Sequence, residues 1–312
     1  MNAPSLAPTN SAREVREDAL YALGLALKQA RYEFVTVTPS THARVLARQG
    51  SATLRDAFGW NRTVAKSALP SEFIELARAA GVLTESDAGL RMNVRFATLG
   101  AELFAHSPFP TVQDDAVFFG PDTYRFVRFL RHSLGRAGTL VDVGCGSGAA
   151  GILMARAAEA VILSDINPTA LAFARVNARL AGVSATFIES DVLSKISQPI
   201  DVVIANPPYM KDSARRLYRD GGGRHGEALS LRIAREALQR LPVGGRLMLY
   251  TGAPVVAGRD ILATALSELC RGAGACFEYE ELDPDVFGDE LGEPGYEDVE
   301  RIAAVGLNAR RC

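Results

Sequence analysis

The sequence predicts an α/β protein, built on a doubly wound, mainly parallel seven-stranded sheet with a smaller N-terminal helical domain. Three observations carry this reading. From Asp115 onward, short apolar runs alternate with segments of helical period. A glycine-rich turn, VDVGCGSGAAG, joins the first of these runs to the first helix. A later apolar run, Val202 to Ala205, stops abruptly at Asn206-Pro207-Pro208-Tyr209.

Taken in order, MNAPSLAPTNSA (1–12) reads as a loose tail with neither a basic nor an apolar leader segment. Residues 13–110 read as the N-terminal domain. Val15, Ala19, Leu20, Leu23 and Leu27 recur at helical spacing through about Arg31. Phe34 to Val37 suits a short strand, and Pro39-Ser40 opens a helix through Arg48. From Leu54 the pattern is helix, helix, hairpin, with Pro70-Ser71 starting the second helix and Asp87-Ala88-Gly89 as the turn. That is a winged-helix-like outline. However, SEFIELARAAG offers only Arg78 to a nucleic acid, which favours a substrate-docking or packing role over DNA reading. A linker falls between His106 and Gln113.

Residues 111–312 then supply the sheet. Strands are expected at 139–143, 160–164, 185–188, 200–205, 246–251, 276–281 and 301–307, and helices at 149–159, 168–181, 227–241 and 259–271. The last two strands have no helix between them, so an antiparallel edge hairpin is expected.

The chain has 312 residues, 48% apolar and 22% charged, with a net charge of −2. This is ordinary globular composition, without a global attraction to nucleic acid or anionic membrane. No run is long and apolar enough for a bilayer span. Cys145, Cys270, Cys276 and Cys312 form no paired-ligand spacing, so reduced thiols in a cytoplasmic protein are expected. His42, His106, His132 and His225 are scattered, and no metal site is expected.

Gly144, Gly146 and Gly148 let the backbone turn tightly beside a ligand. Gly146 to Gly151 also satisfies the dinucleotide pattern, with Asp165 at the expected distance, so a nicotinamide or flavin oxidoreductase is a rival. Acidic residues tip the balance. Asp142 at the first strand end would repel a pyrophosphate and attract a cation. Asp165, ending the second strand, suits ribose hydroxyls, and Asp191, ending the third, suits an adenine amino group. Three acids with Asn206-Pro-Pro-Tyr fit a positively charged adenosyl ligand.

On these residues, VDVGCGSG, SDIN, ESDV and ANPPY, the chain resembles class I S-adenosylmethionine-dependent methyltransferases. It is similar among them to the release-factor glutamine methyltransferases and the wider small-domain methyltransferases. Phe118 to Thr123 stands where that family has a proline-containing segment, and RDGGGRHGEALSLRI matches its glycine-rich segment. The resemblance spans Val117 to Leu307; the residues before it depart from the family's five-helix bundle. It implies a Rossmann-like fold and S-adenosylmethionine as cofactor. It also implies a cofactor site of Phe119, Asp142, Gly144, Cys145, Gly146, Gly148, Asp165, Ile166, Asp191, Val192 and Asn206. The catalytic turn is Asn206, Pro207, Pro208 and Tyr209.

The chemistry explains the turn. The Asn206 side-chain oxygen and the Pro207 carbonyl can grip the two N–H groups of a planar amide or amine, turning its lone pair toward the methyl. Tyr209 can stack on a flat substrate. Cys145 reads as a small loop residue, and His225 as a solvent-facing one. Arg215, Arg216, Arg219 and Arg224 read as a solvated face, or as a local groove if the acceptor is nucleic acid. A protein amide is the favoured acceptor. A nucleic-acid amine, a small molecule and a non-catalytic cofactor-binding subunit are the other readings.

Overall fold

The computed structural model describes residues 10–50 and 53–312. The expected tail lies outside the described residues as far as residue 9, and residues 10–12 already belong to the first helix. The chain divides into two compact units, one of residues up to Thr111 with Arg175–Gly182, the other of Val112–Ala174 and Val183–Cys312. No helix among the described residues is long and apolar enough to cross a membrane.

In the first unit, α1 (Asn10–Gln29) buries Leu20, Leu23 and Leu27. Helix α2 (Pro39–Leu46) begins with proline at its first turn and with the Thr38 side chain accepting from the Thr41 amide. Thr53 and Asp56 form a capping box on α3 (Leu54–Phe58), and α4 (Ser71–Ala79) buries Phe73, Ile74 and Ala77. The expected hairpin follows as β1 (Leu83–Ser86) and β2 (Gly89–Met92). Arg78 is held by Glu85 of β1, with 2.6 Å between guanidinium and carboxylate. A second hairpin, β3 (Arg95–Leu99) and β4 (Glu102–His106), was not anticipated. Residues 34–37 form no strand: Phe34 and Thr36 point inward and Val35 outward, as in a strand, but no ladder forms beyond the Thr98 amide donating to the Phe34 carbonyl.

In the second unit the first helix is α5 (Pro121–Ser133), with proline in its first turn, a helix not among those expected. Along the chain then come β5 (Ala137–Val143), α6 (Ala149–Met154), β6 (Ala158–Asp165), α7 (Pro168–Ala181, which counts with the first unit from Arg175 on), β7 (Thr186–Glu189) and β8 (Val202–Ala205). After a long loop follow α8 (Ala228–Arg240), β9 (Arg246–Val256), the two-residue β10 (Arg259–Asp260), α9 (Ile261–Gly272), β11 (Ala275–Asp283) and β12 (Val299–Arg311).

Seven strands lie in the order β11-β12-β9-β8-β5-β6-β7, with β10 pairing onto β9. Strands β9, β8, β5, β6 and β7 are parallel, and β12 is antiparallel to both β9 and β11. The expected sheet and its antiparallel edge hairpin are borne out. Side chains alternate across it. Val141, Val203, Leu247 and Val305 meet Ile233, Ala237 and Leu266 of α8 and α9 on one face. Opposite them, α6 packs so closely that a Cβ at Gly151 would lie 2.4 Å from Leu163. From β5 the chain proceeds outward to β6 and β7, then returns to β8 on the other side of β5. Such a reversal opens a crevice at the carboxyl ends of the strands.

The cysteine expectation needs correction, because a disulfide joins Cys276 to Cys312. Cys276 pairs with Arg310 across β11 and β12, which brings the last residue of the chain within reach. No sequence spacing displays a cross-strand neighbour 36 residues away. Cys145 and Cys270 are buried free thiols.

Candidate active site

At that crevice lies a cavity of about 380 Å³ with two unlike walls. The first is the turn after β5. Gly144, Gly146 and Gly148 all take left-handed backbone, at φ 66°, 55° and 78°. A Cβ at Gly144 would meet nothing within 4 Å, and one at Gly146 only Val117 at 3.8 Å, so both present bare backbone to open space. Gly148 differs: it does not line the cavity, and a Cβ there would press on Ile152, Ala174 and Leu163 at 3.0–3.2 Å. Cys145 is 8% exposed, and its amide donates to the Ser164 carbonyl.

Two buried carboxylates brace this turn. The Gly151 amide donates to Asp142 at 2.8 Å. Burial, opposed by that hydrogen bond and reinforced by nearby Asp165, pushes the Asp142 carboxyl up to about 7. Asp165 accepts from the Gly146 amide at 2.8 Å and the Asn167 amide at 2.9 Å, and its burial also raises it. The Ile166 amide favours the same carboxylate, which lines the cavity. Beside it Ile166 is 51% exposed, an apolar shelf on the cavity wall, and Val192 is buried at the same wall. Asp191 lines the cavity but is held differently from expectation: Arg232 donates to both its oxygens at 2.8 Å. Phe119 is buried against Tyr124, and Phe118, one residue earlier, lines the cavity instead.

The second wall is the Asn206–Tyr209 turn and what supports it. Asn206 is half-buried on the cavity, and its side chain has no hydrogen-bond partner among the described residues. Tyr209 is buried, and its hydroxyl donates to Asp122, which also accepts from the Tyr250 hydroxyl at 2.9 Å and from Arg125 at 3.0 Å. Burial raises the Asp122 carboxyl despite these donors. The Tyr209 ring lies on Gly252, where a Cβ would come within 2.2 Å, and edge-on to Phe287 at 5.9 Å. Stacking on a substrate is therefore not its arrangement here.

The arginines expected on a solvated face sit in the loop after the turn and are mostly neutralised. Arg216 pairs with Asp212 at 2.6 Å, Arg219 with Glu290, and Arg224 with Asp298 at 2.7 Å. His225 is not solvent-facing: it is 3% exposed, with Nε2 2.9 Å from Asp298. Arg215 alone of the four has no side-chain partner among the described residues; it is exposed and lines the cavity. Asp122, Phe287 and the Glu290–Asp298 supports escaped the sequence reading, since nothing local marks them as neighbours of residues 206–226. No cluster of His, Cys, Asp or Glu among the described residues could hold a metal ion.

Residues 121–269 match the methyltransferase small domain family. The chain is 35% identical over 126 residues to a release factor glutamine methyltransferase of Lactococcus lactis, covering 36% of this chain and 47% of that protein. A Deinococcus radiodurans protein of the same name is 32% identical over 160 residues, covering 48% and 55%. The chain thus spans about half the length of these curated relatives. Among solved structures, that of Trm5b from Pyrococcus abyssi superposes with a TM-score of 0.50 at 16% identity, over 78% of this chain and 68% of that one. It shows the fold alone. The similarity falls on the segment where the methyltransferase core was expected.

Proposed function

We propose that the chain is an S-adenosylmethionine-dependent N-methyltransferase acting on a planar amide nitrogen of a protein. The observation that carries this reading is the unpartnered Asn206 side chain, held on a proline-rigid turn across one cavity from an acid-braced glycine loop. The residues present fit the cofactor. Open backbone at Gly144 and Gly146 suits a close-lying ligand, Asp165 places a carboxylate on the cavity wall for a ribose hydroxyl, and Ile166 offers an apolar face to a base. Asp142 is a buried carboxyl whose ionised form suits a sulfonium and disfavours a pyrophosphate.

When bound, the cofactor supplies an electrophilic methyl group. This chain's residues need only hold the acceptor in line with it, and such positioning can supply several kcal/mol of the barrier. The Asn206 side-chain oxygen and the Pro207 carbonyl accept hydrogen bonds from the two amide N–H groups, directing the nitrogen lone pair at the methyl, and one of the two protons leaves the nitrogen to solvent once the methyl has transferred. Proline at 207 and 208 limits how far that pair of acceptors can drift.

A protein acceptor is favoured over nucleic acid because three of the four arginines near the turn are already paired with carboxylates of this chain. A polyanion would have to displace them, whereas phosphate binding draws on free cations. The names of the Lactococcus and Deinococcus relatives agree with a glutamine acceptor. A cytoplasmic location goes with this reading.

The test is transfer of labelled methyl from S-adenosylmethionine into a cell extract, divided between protease and nuclease digestion. Label released by protease as an N-methylated amide residue supports the reading. Label released by nuclease overturns the acceptor.

A further inference from the structure

We propose that Asp122 is a positioning residue for methyl transfer, holding the Asn206–Tyr209 turn in place through the Tyr209 hydroxyl. The proposal rests on the methyltransferase reading above but on neither acceptor class. Asp122 is 4% exposed on the first turn of α5, and it gathers donors from three places: the catalytic turn, Tyr250 of β9 and Arg125 of its own helix. A buried carboxylate is a costly way to join three elements, since an apolar contact of equal volume would serve packing alone. What it supplies is direction. Tyr209 stands three residues after Asn206, with two prolines intervening whose φ angles are fixed. Anchoring the far end of so stiff a segment sets where the Asn206 amide and the Pro207 carbonyl point.

The surroundings give the Tyr209 ring no other seat. Gly252 lies under it, Phe287 stands at its edge, and a Cβ at Gly226 would lie 2.1 Å from its backbone oxygen. Arg125 extends the same junction to Asp283 at 2.9 Å, at the start of the segment that carries Phe287. One carboxylate thus ties α5, β9, the turn and the Phe287 segment together. Tyr209 acts in this arrangement as a strut under Asn206 rather than as a stacking platform.

The test compares wild type, Asp122→Asn, Tyr209→Phe and the double variant. Each is assayed for total labelled methyl transferred into extract at saturating S-adenosylmethionine, whatever the acceptor, with cofactor affinity measured separately. Misplacing a reacting group by about 1 Å can cost about 100-fold, so each single variant is expected to lose about 10- to 100-fold in transfer rate. Cofactor affinity should stay within about threefold, a split that a merely structural role would not give. The double variant should be no slower than the slower single, because both changes cut one link. Unchanged transfer in Tyr209→Phe overturns the proposal, as do losses that multiply in the double variant. Equal losses of transfer and cofactor affinity in Asp122→Asn also overturn it, by marking a general structural role. If Asp122→Asn does not fold, Tyr209→Phe decides alone, since it leaves Asp122 paired with Tyr250 and Arg125. Failure of the acceptor reading shows separately, in which digest releases wild-type label.

Discussion

The two walls of the cavity are built by opposite means. The wall after β5 is made of left-handed glycine backbone and backbone amides tied to two strand-end carboxylates, all within residues 142–167. The wall around Asn206 is made of side chains brought from afar. Asp122 lies 87 residues before Tyr209, and Glu290 lies 71 residues after Arg219. The first wall is rigid because its hydrogen bonds are local; the second depends on α5, β9 and the 283–298 segment arriving together. Cofactor affinity and transfer rate should therefore be separable by mutation.

The largest expected effect strikes the second wall through its backbone. Gly226 has φ +101° and a Cβ there would press on the Tyr209 carbonyl, so Gly226→Ala must move the turn. Loss of about 100-fold in transfer is expected, with about 1–3 kcal/mol of stability lost to the left-handed backbone, read by denaturant unfolding. On the first wall, Asp165→Ala should weaken S-adenosylmethionine binding by about 10- to 100-fold in calorimetric titration. An unchanged affinity would remove Asp165 from the ribose role.

A pH experiment sharpens the contrast further. Asp142, with its carboxyl pushed up to about 7, is largely neutral in the free chain below that pH. A bound cation favours the ionised form, so cofactor affinity should rise a few-fold as pH increases through about 7, with proton release on binding. Asp142→Asn should flatten this dependence. The free chain should respond with the opposite sign. An acid whose folded pKa is raised contributes stability fully present below its unfolded value and lost as pH rises through about 7. The smallest effect belongs to the rim: Arg215→Ala should raise the acceptor KM by a few-fold with kcat unchanged, an effect that salt should mask.

The same division decided what could be read from the sequence. The glycines, Asp142, Asp165 and the Asn-Pro-Pro-Tyr turn stand at the ends of apolar runs, so strand periodicity placed them in one crevice. Helix α5 has no strand-end or motif signal of its own, so the carboxylate that holds Tyr209 was not legible as its partner 87 residues away. Asp191 looked available because only its strand-end position was legible; its partner Arg232 lies 41 residues away. The arginine run between 215 and 224 gave no sign that Asp212, Glu290 and Asp298 neutralise it. The isolated alternation at 34–37 shows the converse, a strand pattern with no neighbour to complete a ladder.

The central claim is that Asn206 holds the acceptor and not the cofactor. Asn206→Ala should be titrated with S-adenosylmethionine and then assayed for labelled-methyl transfer into extract protein. The account predicts affinity within about threefold of wild type and transfer reduced by about 100-fold or more, the scale of losing one aligned polar group in an active site. Transfer at the wild-type rate, or a loss fully explained by weaker cofactor binding, would contradict it.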